Sequence, residues 1–307
     1  MPLIKKQNKS LKSKLITITV ISVIIAIIAV LIFIAIQNNA TSQSNNQTPQ
    51  ETPSQSETPL PAITQDGAKP TDATTGPRIA TTNRAGGTVS NGTYEGVRFQ
   101  GDVEIPAGAD DVTLRDCVID GELSIRSTNL VTIEHCEING WFGHRTNNTD
   151  KEKQLLVVRN SKFNGPENND AVRFGNTVKW GDNSTYQNVL VEDSIFYSPF
   201  SSTDPSAHFD LMQFGGGNNY TFNRVSLQFI KDSPAGVGVA YINNDTQNGN
   251  VVFNNLWVEG GAVTYVFRGP LTVNTCSVES STAKYGYTGG STKAVLNGCV
   301  NERGEAF

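Results

Sequence analysis

Four apolar columns recur down the last two-thirds of this chain, and no other feature restricts its fold so strongly. Tyr94, Leu114, Ile133, Val158, Val191, Phe222, Phe253, Val273 and Leu296 mark position zero of nine units. Three residues on stand Val97, Cys117, Cys136, Ser161, Ser194, Val225, Leu256, Cys276 and Cys299. Five residues on stand Phe99, Ile119, Ile138, Phe163, Phe196, Leu227, Val258 and Val278, and only Asn301 breaks the column. Two residues before zero the order is Gly92, Val112, Val131, Leu156, Val189, Tyr220, Val251, Leu271 and Ala294. A small or apolar residue at the same offsets, repeated this often, is a structural repeat.

The inward positions alternate as strands require, and a glycine follows several units, as at Gly101, Gly121, Gly140, Gly165 and Gly260. Period two with a turn residue after it predicts short half-buried strands, not amphipathic helices. One such unit cannot bury its own apolar edge, so its stability must come from stacking on its neighbours. A parallel β-helix has coils of about this length, and nine coils at about 4.8 Å each would make a rod about 40 Å long.

The units VTLRDCVIDG (Val112 to Gly121), VTIEHCEING (Val131 to Gly140) and LVVRNSKFNG (Leu156 to Gly165) carry a family likeness. Residues 90 to 300 resemble the right-handed, single-stranded parallel β-helix proteins of the pectate-lyase-like kind. The resemblance implies that fold, but that architecture hosts lyases, hydrolases, adhesins and inert spacers alike. The paired Asp-Asp, Gly-His-Gly and basic tripeptide of the polygalacturonase-like members do not occur here. The pectate lyase calcium pattern and its Trp-Asp-His segment are also missing.

Lys5, Lys6, Lys9, Lys12 and Lys14 precede an uncharged apolar run from Leu15 to Ile36. That length suits a membrane span, which needs about 20 residues, and the lysines place residues 1–14 in the cytoplasm. A transmembrane signal-anchor over 15–36 is therefore expected, with cleavage and secretion as the alternative. Residues 37–77 are rich in Ser, Thr, Asn, Gln and Pro and read as a disordered stalk. The β-helix domain is expected over 78–307, outside the cell on a bacterial surface.

The whole chain carries 24 basic and 29 acidic residues. Five of the basic ones precede the apolar run and no acid does, so the remainder stands at about minus ten. Nucleic acid, which needs a basic face, is excluded as a partner. A strongly anionic glycan would require a locally basic groove or a calcium ion, the one cofactor left open. Cys117, Cys136, Cys276 and Cys299 share one inward column, which favours free buried thiols, with cross-coil disulfides as the alternative.

The middle coils are longer and must shed loops, near 141–155, 176–188, 198–209, 230–237 and 243–250. They also contain a second set of aligned segments, AVRFG, LMQFG, VAYIN and TYVFR, ending at Gly175, Gly215, Asn243 and Arg268. With Phe174, Phe214, Ile242 and Phe267 inward, Arg173, Gln213, Tyr241 and Val266 point outward. Asn168 and Asp170 precede one segment, and His208 and Asp210 precede the next. Carboxylate, imidazole, guanidinium and amide groups on one groove suit a polysaccharide or cell-surface glycan. Asp170, Arg173, His208 and Asp210 are the candidate catalytic set: a base beside a uronate in a lyase, or an acid–base pair in a hydrolase. Asn168, Gln213, Tyr241, Arg268, Trp141 and His144 are the candidate substrate-binding set. Asp and Asn at solenoid corners also commonly cap turn backbone groups. Three classes therefore stay open: a glycan-acting enzyme, a non-catalytic glycan-binding protein, and a structural spacer or adhesin.

Overall fold

A computed structural model describes residues 67–167, 170–175, 182–199, 209–230, 238–245, 250–261, 263–279, 286–290 and 292–307. The expected membrane span and most of the stalk lie outside these residues, as do Asn168 and His208. Among the described residues no helix is long and apolar enough to cross a membrane. The chain there is all-β, with 21 strands joined in one open sheet. Each strand pairs in parallel with its counterpart one unit later, an arrangement consistent with a solenoid.

The zero column holds register from end to end. Tyr94 faces Leu114, which faces Ile133, then Val158, Val191, Phe222, Phe253, Val273 and Leu296 in turn. All but the two terminal members are buried, and those two pack against the core. Aromatic rings stack within columns, Phe163 on Phe196 at 4.6 Å and Phe222 on Phe253 at 4.4 Å.

Two residues after zero the backbone turns through the left-handed region in every unit. Gly96, Asp116, His135, Asn160, Asp193, Arg224, Asn255, Thr275 and Gly298 all have φ between 48° and 68°. Seven are not glycine, and each such residue carries a cost of roughly 1–2 kcal/mol. The reversal explains the polar members of the next inward column. The N–H groups there are met by the side chain one coil later: Cys117 donates to Cys136 Sγ, Cys136 to Ser161 Oγ, and Ser161 to Ser194 Oγ, at 3.4, 3.1 and 3.2 Å. A buried N–H without a partner would cost more than a small hydroxyl or thiol in the core.

One residue after zero an outward ladder runs between coils. Arg115 meets Glu134 at 3.1 Å, and Arg159 bridges Glu134 and Glu192 at 3.8 and 3.0 Å. Amides then take over: Asn223 donates to Glu192, Asn254 to Asn223, Asn274 to Asn254 and Asn297 to Asn274, at 2.8–3.3 Å. Each exposed pair is weak, but the row works against sliding one coil past the next. Glycines allow the tightest stacking, since a Cβ on Gly140 would lie 2.5 Å from the Gly121 carbonyl oxygen.

Cys276 and Cys299 face each other in register and form a disulfide with Cα atoms 4.3 Å apart. This corrects the expectation of free thiols for that pair; Cys117 and Cys136 are free and buried. The difference is local, because Cys136 Sγ is engaged by the Cys117 N–H and by the Leu114 and Glu134 carbonyls.

Both ends are closed. Thr82–Thr88 adds a polar strand ahead of the first unit, and the Arg84 guanidinium lies 5.0 Å from the Tyr94 ring centre and 5.6 Å from that of Phe99. At the other end Ala306 bridges back to Val300 and Phe307 stacks on Tyr287. Residues 67–77, expected as the last part of the disordered stalk, run back along the outside of the coils, and residue 78 follows them. Lys69 pairs with Glu259, Asp72 with Lys162, and the Gly76 N–H donates to the Asn160 carbonyl. Arg78 then grips Asp116 with its guanidinium and its backbone N–H, which pulls that carboxyl down to about 2.

Candidate functional site

The second set of aligned segments is a strand column of its own. Val103, Leu123, Phe142, Val172, Met212, Ile242, Phe267 and Thr288 stand in register on successive coils. The column therefore reaches beyond the middle coils, and Phe142–Arg145, expected in a loop, is one of its strands.

Next to each of these inward residues lies an outward one, and Arg173, Gln213, Asn243 and Arg268 follow one another in register. Arg173 beside Gln213 agrees with the sequence alignment. Tyr241 and Val266 do not belong there, since both are fully buried. The strand sits two residues from its aligned place, one of them arising at the irregularity between Phe209 and Asp210, so Met212 rather than Phe214 faces Ile242 and Asn243 takes the outward place. Tyr241 turns into the core, packs edge-on against Phe229 at 4.7 Å, and donates its hydroxyl to the Glu259 and Gly260 carbonyls.

His144 is also corrected. It stands in register between Ile125 and Phe174, both inward, and is completely buried. Burial pushes the imidazole down to about 3, and neither ring nitrogen has a hydrogen-bond partner among the described residues. It is a neutral core residue, not a groove residue. Trp141 lies outside, its ring over Gly143, where a Cβ would collide with it.

Asp170 is used structurally. One carboxylate oxygen accepts the Asp210 backbone N–H at 3.0 Å and the other pairs with Arg173 at 2.7 Å. This is the capping role considered for such corners. Asp210 is different. It is 7% exposed, and one oxygen accepts from Asn243 Nδ2 at 2.7 Å. Burial raises its carboxyl to about 7, against the pull of Asn243 and with help from the Asp170 and Asp245 charges. Gln213 donates to Asp245 at 3.3 Å, and Arg268 is exposed at the end of the row.

Three acceptor oxygens in this cluster have no hydrogen-bond partner among the described residues: Asp210 Oδ1, Gln213 Oε1 and Asn243 Oδ1. They stand on neighbouring coils, and buried acceptors without donors each cost about 1–3 kcal/mol. Asn243 and Asp245 were not legible in the sequence, because the register shift that brings them here carries no sequence mark.

Two clefts lie elsewhere. One, of about 330 Å³, is lined by Tyr197, Gln228, Phe229, Glu259, Gly260 and Glu279. Its carboxylates are already engaged, Glu279 by the Gly260 N–H and Glu259 by Lys69. The other, of about 280 Å³, includes Gln154, Asn188 and Asn219, whose amides serve the coil backbone and each other. Neither places a buried unpartnered polar atom at its wall among the described residues, so the Asp210 cluster is the stronger candidate. Among the described residues no group of three or more His, Cys, Asp or Glu could hold a metal ion. No family model, curated protein or solved structure matches this chain.

Proposed function

We propose that the chain is a right-handed parallel β-helix, held outside a cell membrane by residues 15–36, that binds polysaccharide along the Arg173, Gln213, Asn243 and Arg268 row. The observation that carries this reading is the set of unpartnered acceptors, Asp210 Oδ1, Gln213 Oε1 and Asn243 Oδ1, flanked by guanidinium groups. Those acceptors lie just below the surface, so sugar hydroxyls would satisfy them once the covering side chains move aside, and the guanidinium groups would donate to sugar oxygens. Cleavage is the second reading, favoured by Asp210 alone: a carboxyl that keeps its proton to about pH 7 is suited to act as a general acid.

The test uses the full-length chain on neutral and uronate polysaccharides, with and without calcium. Retention, unsaturated-product absorbance and new reducing ends are followed together. Retention on at least one polymer is expected, weakened about tenfold or more in a Gln213→Ala, Arg268→Ala double variant, which is about 1.4 kcal/mol or more. Reducing ends that vanish in Asp210→Asn would add hydrolysis. No retention on any polymer would leave the spacer role standing.

A further inference from the structure

The same face carries a basic group that shares Arg173 with the row and extends away from it. Arg126, Arg145 and Arg173 stand on three consecutive coils, Arg145 one residue past His144 and Arg126 one past Ile125, its register partner. Arg126 pairs with Glu104 at 3.2 Å and Arg173 with Asp170 at 2.7 Å. Arg145 has no acidic partner among the described residues. Its guanidinium lies 5.6 Å from the centre of the Trp141 ring, and Trp141 itself covers Gly143, the register neighbour of Arg173.

We propose that Arg145, backed by Trp141 and flanked by Arg173 and Arg126, is an oxyanion subsite that seats a carboxylate, sulfate or phosphate group of an acidic polymer on this face. It rests on the glycan-binding reading and adds to it the charge of the ligand. Of these three cations only Arg145 lacks a carboxylate partner among the described residues, and an anion seated there would supply one. Burial, then Arg173 and Arg126, lower the Arg145 pKa, the direction expected of a cation in want of a counter-charge. The indole lies to one side of the guanidinium, whose planar N–H fork suits two-pronged recognition of an oxyanion.

Binding of the full-length chain to polygalacturonate, dextran sulfate, a poly(glycerol phosphate) and uncharged dextran, at low and at physiological salt, tests it. The wild type is expected to bind at least one polyanion, more weakly as salt rises. Arg145→Gln should lose about tenfold of that affinity, Arg145→Lys less, and neither should change binding to dextran. The polyanion preferred tells carboxylate from sulfate and phosphate. Arg145→Gln binding the polyanion like the wild type, with an unchanged thermal melt, would overturn the subsite. Binding to dextran alone would overturn it too while sparing the glycan-binding reading. Binding to no polymer would sink both.

Discussion

Phe222→Ala is expected to destabilise the coil stack by about 3–5 kcal/mol, the range for deleting a buried aromatic ring. Phe222 is fully buried, stacks on Phe253 at 4.4 Å, and meets the edges of Phe174 and Phe214 at 5.7 and 5.8 Å. Those rings belong to neighbouring coils pinned by the parallel ladders on either side, so the site has little room to collapse. Because each coil leans on the next, damage at a central coil should also loosen its neighbours. Urea denaturation of the two proteins measures the loss. Val295→Ala, at a residue 55% exposed, should change little and serves as the control. A loss below about 1 kcal/mol at Phe222 would mean that the aromatic column does not carry the stack.

Asp210→Asn should make the protein more stable at neutral pH and remove a pH dependence. The Asp210 carboxyl rises from 3.8 to about 7 on folding, chiefly through burial. The folded state therefore holds the proton more tightly than the unfolded chain does. Stability is fully present below about 4 and falls as pH climbs through the window up to about 7, by an amount on the order of a few kcal/mol. An amide carries no charge to bury, and its oxygen can still accept from Asn243. Asp116 works in the opposite sense and in a separate window. Held at about 2 by Arg78, it contributes stability that is present above 3.8 and lost as pH falls towards about 2. Urea midpoints at about pH 4, 5.5 and 7 for both proteins test this. Parallel curves for wild type and Asp210→Asn would show that the carboxyl is not buried as described.

The inward columns were legible because each unit repeats a hydrophobic requirement, and Leu114, Ile133, Val158 and Val191 are all buried where the alternation placed them. The left-handed corners were not, since Asp116, His135, Arg224 and Thr275 share a backbone angle but no side-chain type. The amide ladder from Asn223 to Asn297 was written in the sequence at a constant offset. It was hidden because outward positions carry no hydrophobic signal. At the site, Arg173 and Gln213 followed from a simple alignment. Tyr241 failed because its strand lies two residues from the aligned place, only one of which comes from the irregularity at Phe209. His144 failed because a polar residue between glycine and arginine looks exposed until its register partners, Ile125 and Phe174, turn out to be core.

The line of side chains from Arg173 to Arg268 exists only if the coils stack in the register described. Introducing Arg173→Cys with Gln213→Cys tests it most directly, beside a control of Arg173→Cys with Asn243→Cys. Register neighbours in a parallel sheet lie about 4.8 Å apart, within reach of a disulfide, whereas two coils put the control pair about 10 Å apart and out of reach. Mild oxidation followed by peptide mass mapping should find a 173–213 bridge and no 173–243 bridge. A 173–243 bridge in place of the 173–213 bridge would contradict the stacking and with it the site built on it.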